Sequence, residues 1–160
     1  MNATGIKAVL AASALVLSSP AAAQLIGQSE EPIDIFGDHW EVVDKIVTIE
    51  GSARAVQGEG ILTAAKFVAV VDGDQQPQTI ECQGGVRYTN GKEAVAGDTA
   101  LYDDAARTIT FNGNVVVTQG ENVITGGNLI YWIDTGRISL TPATGKRVRG
   151  FFKSKPAAQG

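Results

Sequence analysis

Few residues in this 160-residue chain have chemical reach: one histidine, one cysteine and one Asp-Thr-Gly triplet. The triplet, Asp134-Thr135-Gly136 in "YWIDTGR", follows apolar residues as the catalytic triplet of aspartic proteases does. That chemistry needs two carboxylates sharing a proton, and a single copy would need a symmetric dimer to supply the second. Asp134 also falls close to where Asp103 and Asp104 fall in a preceding repeat, and Arg137 follows it, which is the pattern of a hairpin turn. His39 has no second imidazole and no cysteine pair with which to hold a metal, and no nucleophile motif surrounds it. Cys82 cannot form an internal disulfide and occupies an apolar position of the repeat, so it reads as a small core side chain. No GxxxxGK[ST] loop is present to drive a motor. These residues predict no enzyme, no metal site and no cofactor, and function must then rest on shape and apolar surface.

The elements that build that surface are repeated. "IECQGGVRYTNG" from Ile80 lies over "ITFNGNVVVTQG" from Ile109, and this single offset matches Gly84 with Gly113, Val86 with Val115 and Gly91 with Gly120. Ile138 begins a shortened unit at the same spacing beyond Ile109, and "VTIEGSARAVQG" from Val47 precedes Ile80 at a slightly longer one. Periods of this size signal stacked architectures, in which one unit cannot bury its apolar face alone. Within a unit the apolar period is two, as in Ile109/Phe111 and Val115/Val117, which is strand patterning with one face buried. "TNGK", "YDDAAR", "QGEN" and "DTGR" supply turns between the strands. Two to three strands per unit, plus a first strand in "PIDIFGD", give about ten or more in all. The expected inward stripes are Ile33/Ile35, Val47/Ile49, Ile80/Cys82, Ile109/Phe111 and Ile138/Leu140, then Ala53/Ala55, Val86/Tyr88 and Val115/Val117, then Phe67/Ala69, Ala100/Tyr102 and Leu129/Tyr131. They predict an elongated apolar interior whose two ends carry unpaired edge strands.

Outside the repeats, residues 1–23 read as a cleavable export signal. Lys7 is the only charged side chain before Glu30, the apolar run Ala8 to Leu17 is too short to span a bilayer, and Ala21 and Ala23 suit cleavage before Gln24. The expected mature domain is 24–152, followed by a basic, flexible tail over 153–160. Charge is segregated. Residues 24–144 hold 7 basic and 17 acidic side chains, a net of −10, whereas 5 basic and no acidic ones follow Gly145. The acidic body argues against nucleic acid as a partner.

The segments "EPIDIFGD", "VTIEGSARAVQG", "FNGNVVVTQGENVITGGNLIYWIDTGRISL" and "KRVRGFF" together resemble the LptA/OstA-like periplasmic lipopolysaccharide-transport family, over about Pro32 to Phe152. The first unit departs most, with Ser52 and Ala53 where the third has Asn114 and Val115. The resemblance implies an all-β, elongated, open twisted β-jellyroll built from repeated strand units, located in the periplasm. It implies stacking with inner-membrane-anchored and outer-membrane jellyroll partners, with head-to-tail self-association as a further expectation. Lipopolysaccharide would pass along the stack with its acyl chains inside. Exposing a methylene to water costs about 0.8 kcal/mol, so one fourteen-carbon chain would cost roughly 10 kcal/mol without such shelter. The expected lipid groove comprises Ile35, Ile49, Val86, Tyr88, Phe111, Val115, Val117, Leu129, Tyr131, Ile138 and Leu140. The alternative is a structural β-solenoid scaffold with a packed core and no lipid cargo.

Overall fold

A computed structural model describes residues 32–154. The expected leader and residues 155–160 lie outside the described residues. Ten strands follow in chain order: β1 (Asp34–Phe36), β2 (His39–Val43), β3 (Ile46–Gln57), β4 (Gly60–Val71), β5 (Pro77–Thr89), β6 (Glu93–Asp103), β7 (Thr108–Gln119), β8 (Asn122–Trp132), β9 (Arg137–Thr141) and β10 (Arg149–Phe151). No helix occurs among the described residues. Each full repeat is therefore one antiparallel hairpin: β3–β4, β5–β6 and β7–β8. The strands pair in the order β1-β3-β4-β5-β6-β7-β8-β10, with β2 also on β3 and β9 also on β8. The expectation of an open, all-β jellyroll made of repeated strand units holds.

The turns form where the sequence places Asx residues. Asn90 Oδ1 accepts from the backbone N–H groups of Lys92 at 3.1 Å and Glu93 at 2.8 Å. Asp72 Oδ1 accepts from Asp74 and Gln76, each at 2.9 Å. Asp103 Oδ1 accepts from Ala106, also at 2.9 Å. These local bonds replace ladder bonds that the reversing chain cannot make.

The first strand of each hairpin is interrupted in the middle. In β3, β5 and β7 two successive residues are left-handed: Gly51 and Ser52 (φ 80° and 51°), Gly84 and Gly85 (82° and 80°), Gly113 and Asn114 (75° and 46°). The register shifts at each pair, between Glu50 and Ala53, Gln83 and Val86, and Asn112 and Val115. Such bulges bend the chain and locally increase its twist. Asn114 tolerates this conformation best of the non-glycine residues, and its amide donates to Asp98 Oδ2 at 2.9 Å. The bulges form a seam dividing the sheet into two half-sheets. At one end β2 pairs the first half of β3 and β1 pairs the second. At the other end β9 pairs the second half of β8 and β10 pairs the first.

The half-sheets share one core. Ile49, Phe67, Cys82, Ala100, Phe111 and Leu129 come from one half, and Ala53, Val86, Tyr88, Val95 and Val115 from the other, in a single cluster of buried residues. Cross-strand register lines these residues up. Trp40, Ile49, Phe67, Cys82, Ala100, Phe111, Leu129 and Leu140 are successive partners from β2 to β9. Ile35, Ala55, Leu62, Tyr88, Val95, Val117 and Ile124 form the corresponding row in the other half. The apolar stripes are thus continuous across the whole sheet.

Candidate functional site

The interior between the half-sheets is the candidate site. Among the described residues no polar or charged side chain outside the tyrosines is buried, so the space presents hydrocarbon, aromatic rings and one thiol. A small cavity of about 40 Å³, a cleft open to solvent, is lined by Leu62, Ile80, Cys82, Ala100, Tyr102, Ile109 and Phe111. This space is far smaller than a small-molecule pocket of about 300–1,000 Å³, and its lining presents only apolar surface.

The structure gathers the expected groove residues unevenly. Ile49, Val86, Tyr88, Phe111, Val115, Leu129 and Tyr131 all lie in the buried cluster, with Val117 and Leu140 packed against it. Ile35 stands in the second of the cross-strand rows and Ile138 pairs with Tyr131, but they are 40% and 46% exposed. They sit on β1 and β9, beyond which no strand lies to cover them. Ile33 is exposed for the same reason. Of the eleven, Phe111 alone lines the cleft. Leu62, Ile80, Cys82, Ala100, Tyr102 and Ile109 complete its wall. All but Leu62 lie on the inward stripes expected from the repeat, and Leu62 joins them through its pairing with Ala55 and Tyr88. Ile133 is fully buried in the β8–β9 turn, where it continues the alternation of Leu129 and Tyr131 past the end of β8.

Tyrosines mark the free ends of the half-sheets. Tyr88 stands near the end of β5 and Tyr131 near the end of β8, in opposite halves. Burial pushes the Tyr88 phenol up to about 12, and Tyr131 adds to the effect electrostatically, so the two rings sense each other across the interior. Tyr102 is also raised to about 12, first by burial and then by donating to Asp104 Oδ1 at 2.7 Å. Tyr88 and Tyr102 therefore stay neutral at physiological pH.

Cys82 is 3% exposed, and burial pushes its thiol up to about 12. A thiol with a raised pKa remains protonated and poorly nucleophilic at pH 8. The folded protein is therefore expected to resist an aromatic disulfide reagent at that pH and to react with one thiol equivalent once denatured. Rapid reaction of the native protein would show that the interior opens to water on its own.

The remaining reactive residues are structural or exposed. Asp134 lies in the β8–β9 turn and accepts from Arg107 Nε at 3.1 Å, an exposed pair that ties this turn to the β6–β7 turn. His39 is exposed on β2 opposite Glu50. No group of three or more metal-ligating side chains is assembled among the described residues.

Comparisons with known proteins agree with this geometry. The family model described as LptA/(LptD N-terminal domain) LPS transport protein matches residues 35–137. An uncharacterised protein of Rhizobium meliloti is 27% identical over 156 residues, covering 89% of this chain and 83% of that protein. The lipopolysaccharide export system protein LptA of Escherichia coli K12 is 26% identical, covering 92% of this chain and 84% of that protein. Among solved structures, LptH of Pseudomonas aeruginosa, described as the LptA-homologous periplasmic component of a lipopolysaccharide transport device, superposes with a TM-score of 0.66. It shares 18% identity and covers 78% of this chain and 97% of its own, a likeness of fold.

Proposed function

This chain belongs to the LptA/LptD N-terminal-domain family of lipopolysaccharide transport proteins, and on that premise we propose that it is a periplasmic bridge component that shelters lipopolysaccharide acyl chains between its half-sheets and passes them toward the outer membrane. The observation that carries this reading is the continuity of the apolar rows, which run without an interposed charge from one edge of the sheet to the other. A uniform apolar path favours sliding over trapping, because successive positions along it differ little in transfer free energy. The chain carries no nucleotide-binding loop, so the direction of movement comes from energy supplied by a partner.

The edges support assembly. β1 and β2 at one end, and β9 and β10 at the other, leave backbone groups available for pairing. The first edge carries Asp34, Asp38, Glu41 and Asp44, and the second carries Arg137 and Arg149. Head-to-tail stacking onto jellyroll partners or a second copy would join opposite charges and extend the apolar rows. Export directed by residues 1–23 delivers the mature chain to the periplasm.

A displacement assay with a fluorescent acyl probe separates this function from a dry scaffold. The exported, processed protein should take up the probe and release it when lipopolysaccharide is added. Absence of uptake at saturating probe would favour the scaffold, whose packed core has no room for hydrocarbon.

A further inference from the structure

We propose that the β5–β6 hairpin holds a preformed seat for the end of a saturated acyl chain, and that Cys82 and Ala100 set its width. The inference rests on the lipid path proposed above and adds to it a place where a chain comes to rest.

The first argument is the size of the side chains along one row. Cys82 and Ala100 are direct cross-strand partners. Phe67 precedes them on β4 and Phe111 follows them on β7. At the matching positions of the other hairpins stand Ile49 with Phe67 in β3–β4, and Phe111 with Leu129 in β7–β8. Of the three hairpins, the middle one alone presents two small side chains there. The row is uniform in polarity but wider at its centre.

The second argument is the space this leaves. The cavity of about 40 Å³ lies at those two residues. Ile80, Tyr102, Ile109 and Phe111 surround them on the same half-sheet, and Leu62 contributes from the opposite half. The space therefore lies between the half-sheets, on the path itself. Protein interiors are close-packed and hold few voids larger than a water molecule, whereas this one exceeds the roughly 10–15 Å³ that a single water needs. Its volume, on the order of three waters' worth, suits the last few carbons of a chain and not a whole one.

The third argument is the chemistry of the wall. A buried water needs several polar partners, and this lining presents only apolar surface. Tyr102 turns its hydroxyl to Asp104 in the β6–β7 turn, at 2.7 Å, and leaves its ring to the cavity. The Cys82 sulfur is soft and polarizable, a neighbour that suits hydrocarbon. Apolar cavities stay dry and take up xenon or small hydrocarbons. The methyl end of an acyl chain is the occupant of that chemistry which the lipid path supplies, and the opening to solvent gives it a way in.

Two probes test the proposal on the processed full chain: dissolved xenon, followed by its NMR shift, and a saturated acyl probe carrying its fluorophore at the polar end. The parent should bind both, and lipopolysaccharide should displace both. Ala100→Leu introduces the side chain that β7–β8 carries at the matching position. It should abolish the xenon shift and weaken the acyl probe about tenfold, the loss expected when roughly two methylenes return to water. It should retain the β-sheet circular dichroism, since the added atoms fill existing space. Ala96→Leu adds the same bulk on the outer face, where Ala96 pairs with the exposed Arg87, and should change neither affinity. Cys82→Ala enlarges the seat and should strengthen xenon binding, which keeps the proposal testable if the leucine variant at position 100 fails to fold. Three results would overturn the seat: no xenon binding by the parent, equal acyl affinity in Ala100→Leu and the parent, or weaker xenon binding in Cys82→Ala. Each leaves the lipid path standing so long as the parent takes up the acyl probe. Absence of acyl uptake by the parent would instead overturn the lipid path, and the occupant assigned to the seat with it.

Discussion

Phe111→Ala is expected to lower the unfolding free energy by about 3–5 kcal/mol, the range for a fully buried aromatic ring. Phe111 is 1% exposed and stands between Ala100 on β6 and Leu129 on β8. Its small neighbour Ala100 cannot expand to fill the vacated space, so the lost contacts are not recovered. For a chain of this size the melting midpoint should fall by on the order of 10 °C. Denaturant titration with an unchanged m-value is the check. A loss below about 1 kcal/mol would mean that the ring is not packed as described. Phe111 also borders the cleft, so the truncation removes stability while widening the acyl path. Probe uptake per folded molecule should accordingly be retained.

Gly84→Val is expected to be as damaging, for a different reason. Gly84 has φ +82°, and an added Cβ would lie 2.5 Å from the Ala65 Cβ on the neighbouring strand. A left-handed conformation costs a residue with a Cβ about 1–2 kcal/mol, and forcing atoms into a filled space adds roughly 1–3 kcal/mol. Valine is among the residues least tolerant of positive φ. The adjacent Gly85 separates the two contributions, since φ is +80° there but no atom lies within 4 Å of its added Cβ. Gly85→Ala should therefore show the conformational cost alone, about 1–2 kcal/mol. Equal effects at the two positions would contradict the close approach at Gly84. The seam matters because it bends each odd strand, and without the bend one half of the apolar row would face solvent instead of its opposite half.

The strands, their pairing and their inward rows were legible because a period of two and a constant offset between units both survive the drift in residue identity. Val86 over Val115 and Tyr102 over Tyr131 are sequence matches, and each lies on an inward row. The bend was not legible. Gly84-Gly85 and Gly113-Asn114 have the composition of turns, and only the continuation of pairing on both sides reveals bulges inside unbroken strands. Ile35 and Ile138 illustrate another gap. Periodicity identifies the face a side chain points to, but whether anything covers that face depends on which strand is last in the sheet. The cleft wall was readable in most of its residues, with Ile80, Cys82, Ala100, Tyr102, Ile109 and Phe111 all on the expected stripes, while Leu62 owes its place to the cross-strand register with Ala55 and Tyr88. The inward stripes read from the sequence contain no charged residue, in keeping with an interior that buries none among the described residues.

The most direct test places photo-reactive groups at Tyr88, Val117 and Tyr131 in cells that are exporting lipopolysaccharide, with Arg87 as the outward-facing control. Tyr88 and Arg87 are neighbours on β5, one buried and the other exposed, so they sample the two sides of the same strand. Lipopolysaccharide adducts from the interior positions and none from Arg87 are the expected result. Only intramolecular products from all three interior positions would contradict the idea that the space between the half-sheets carries lipid.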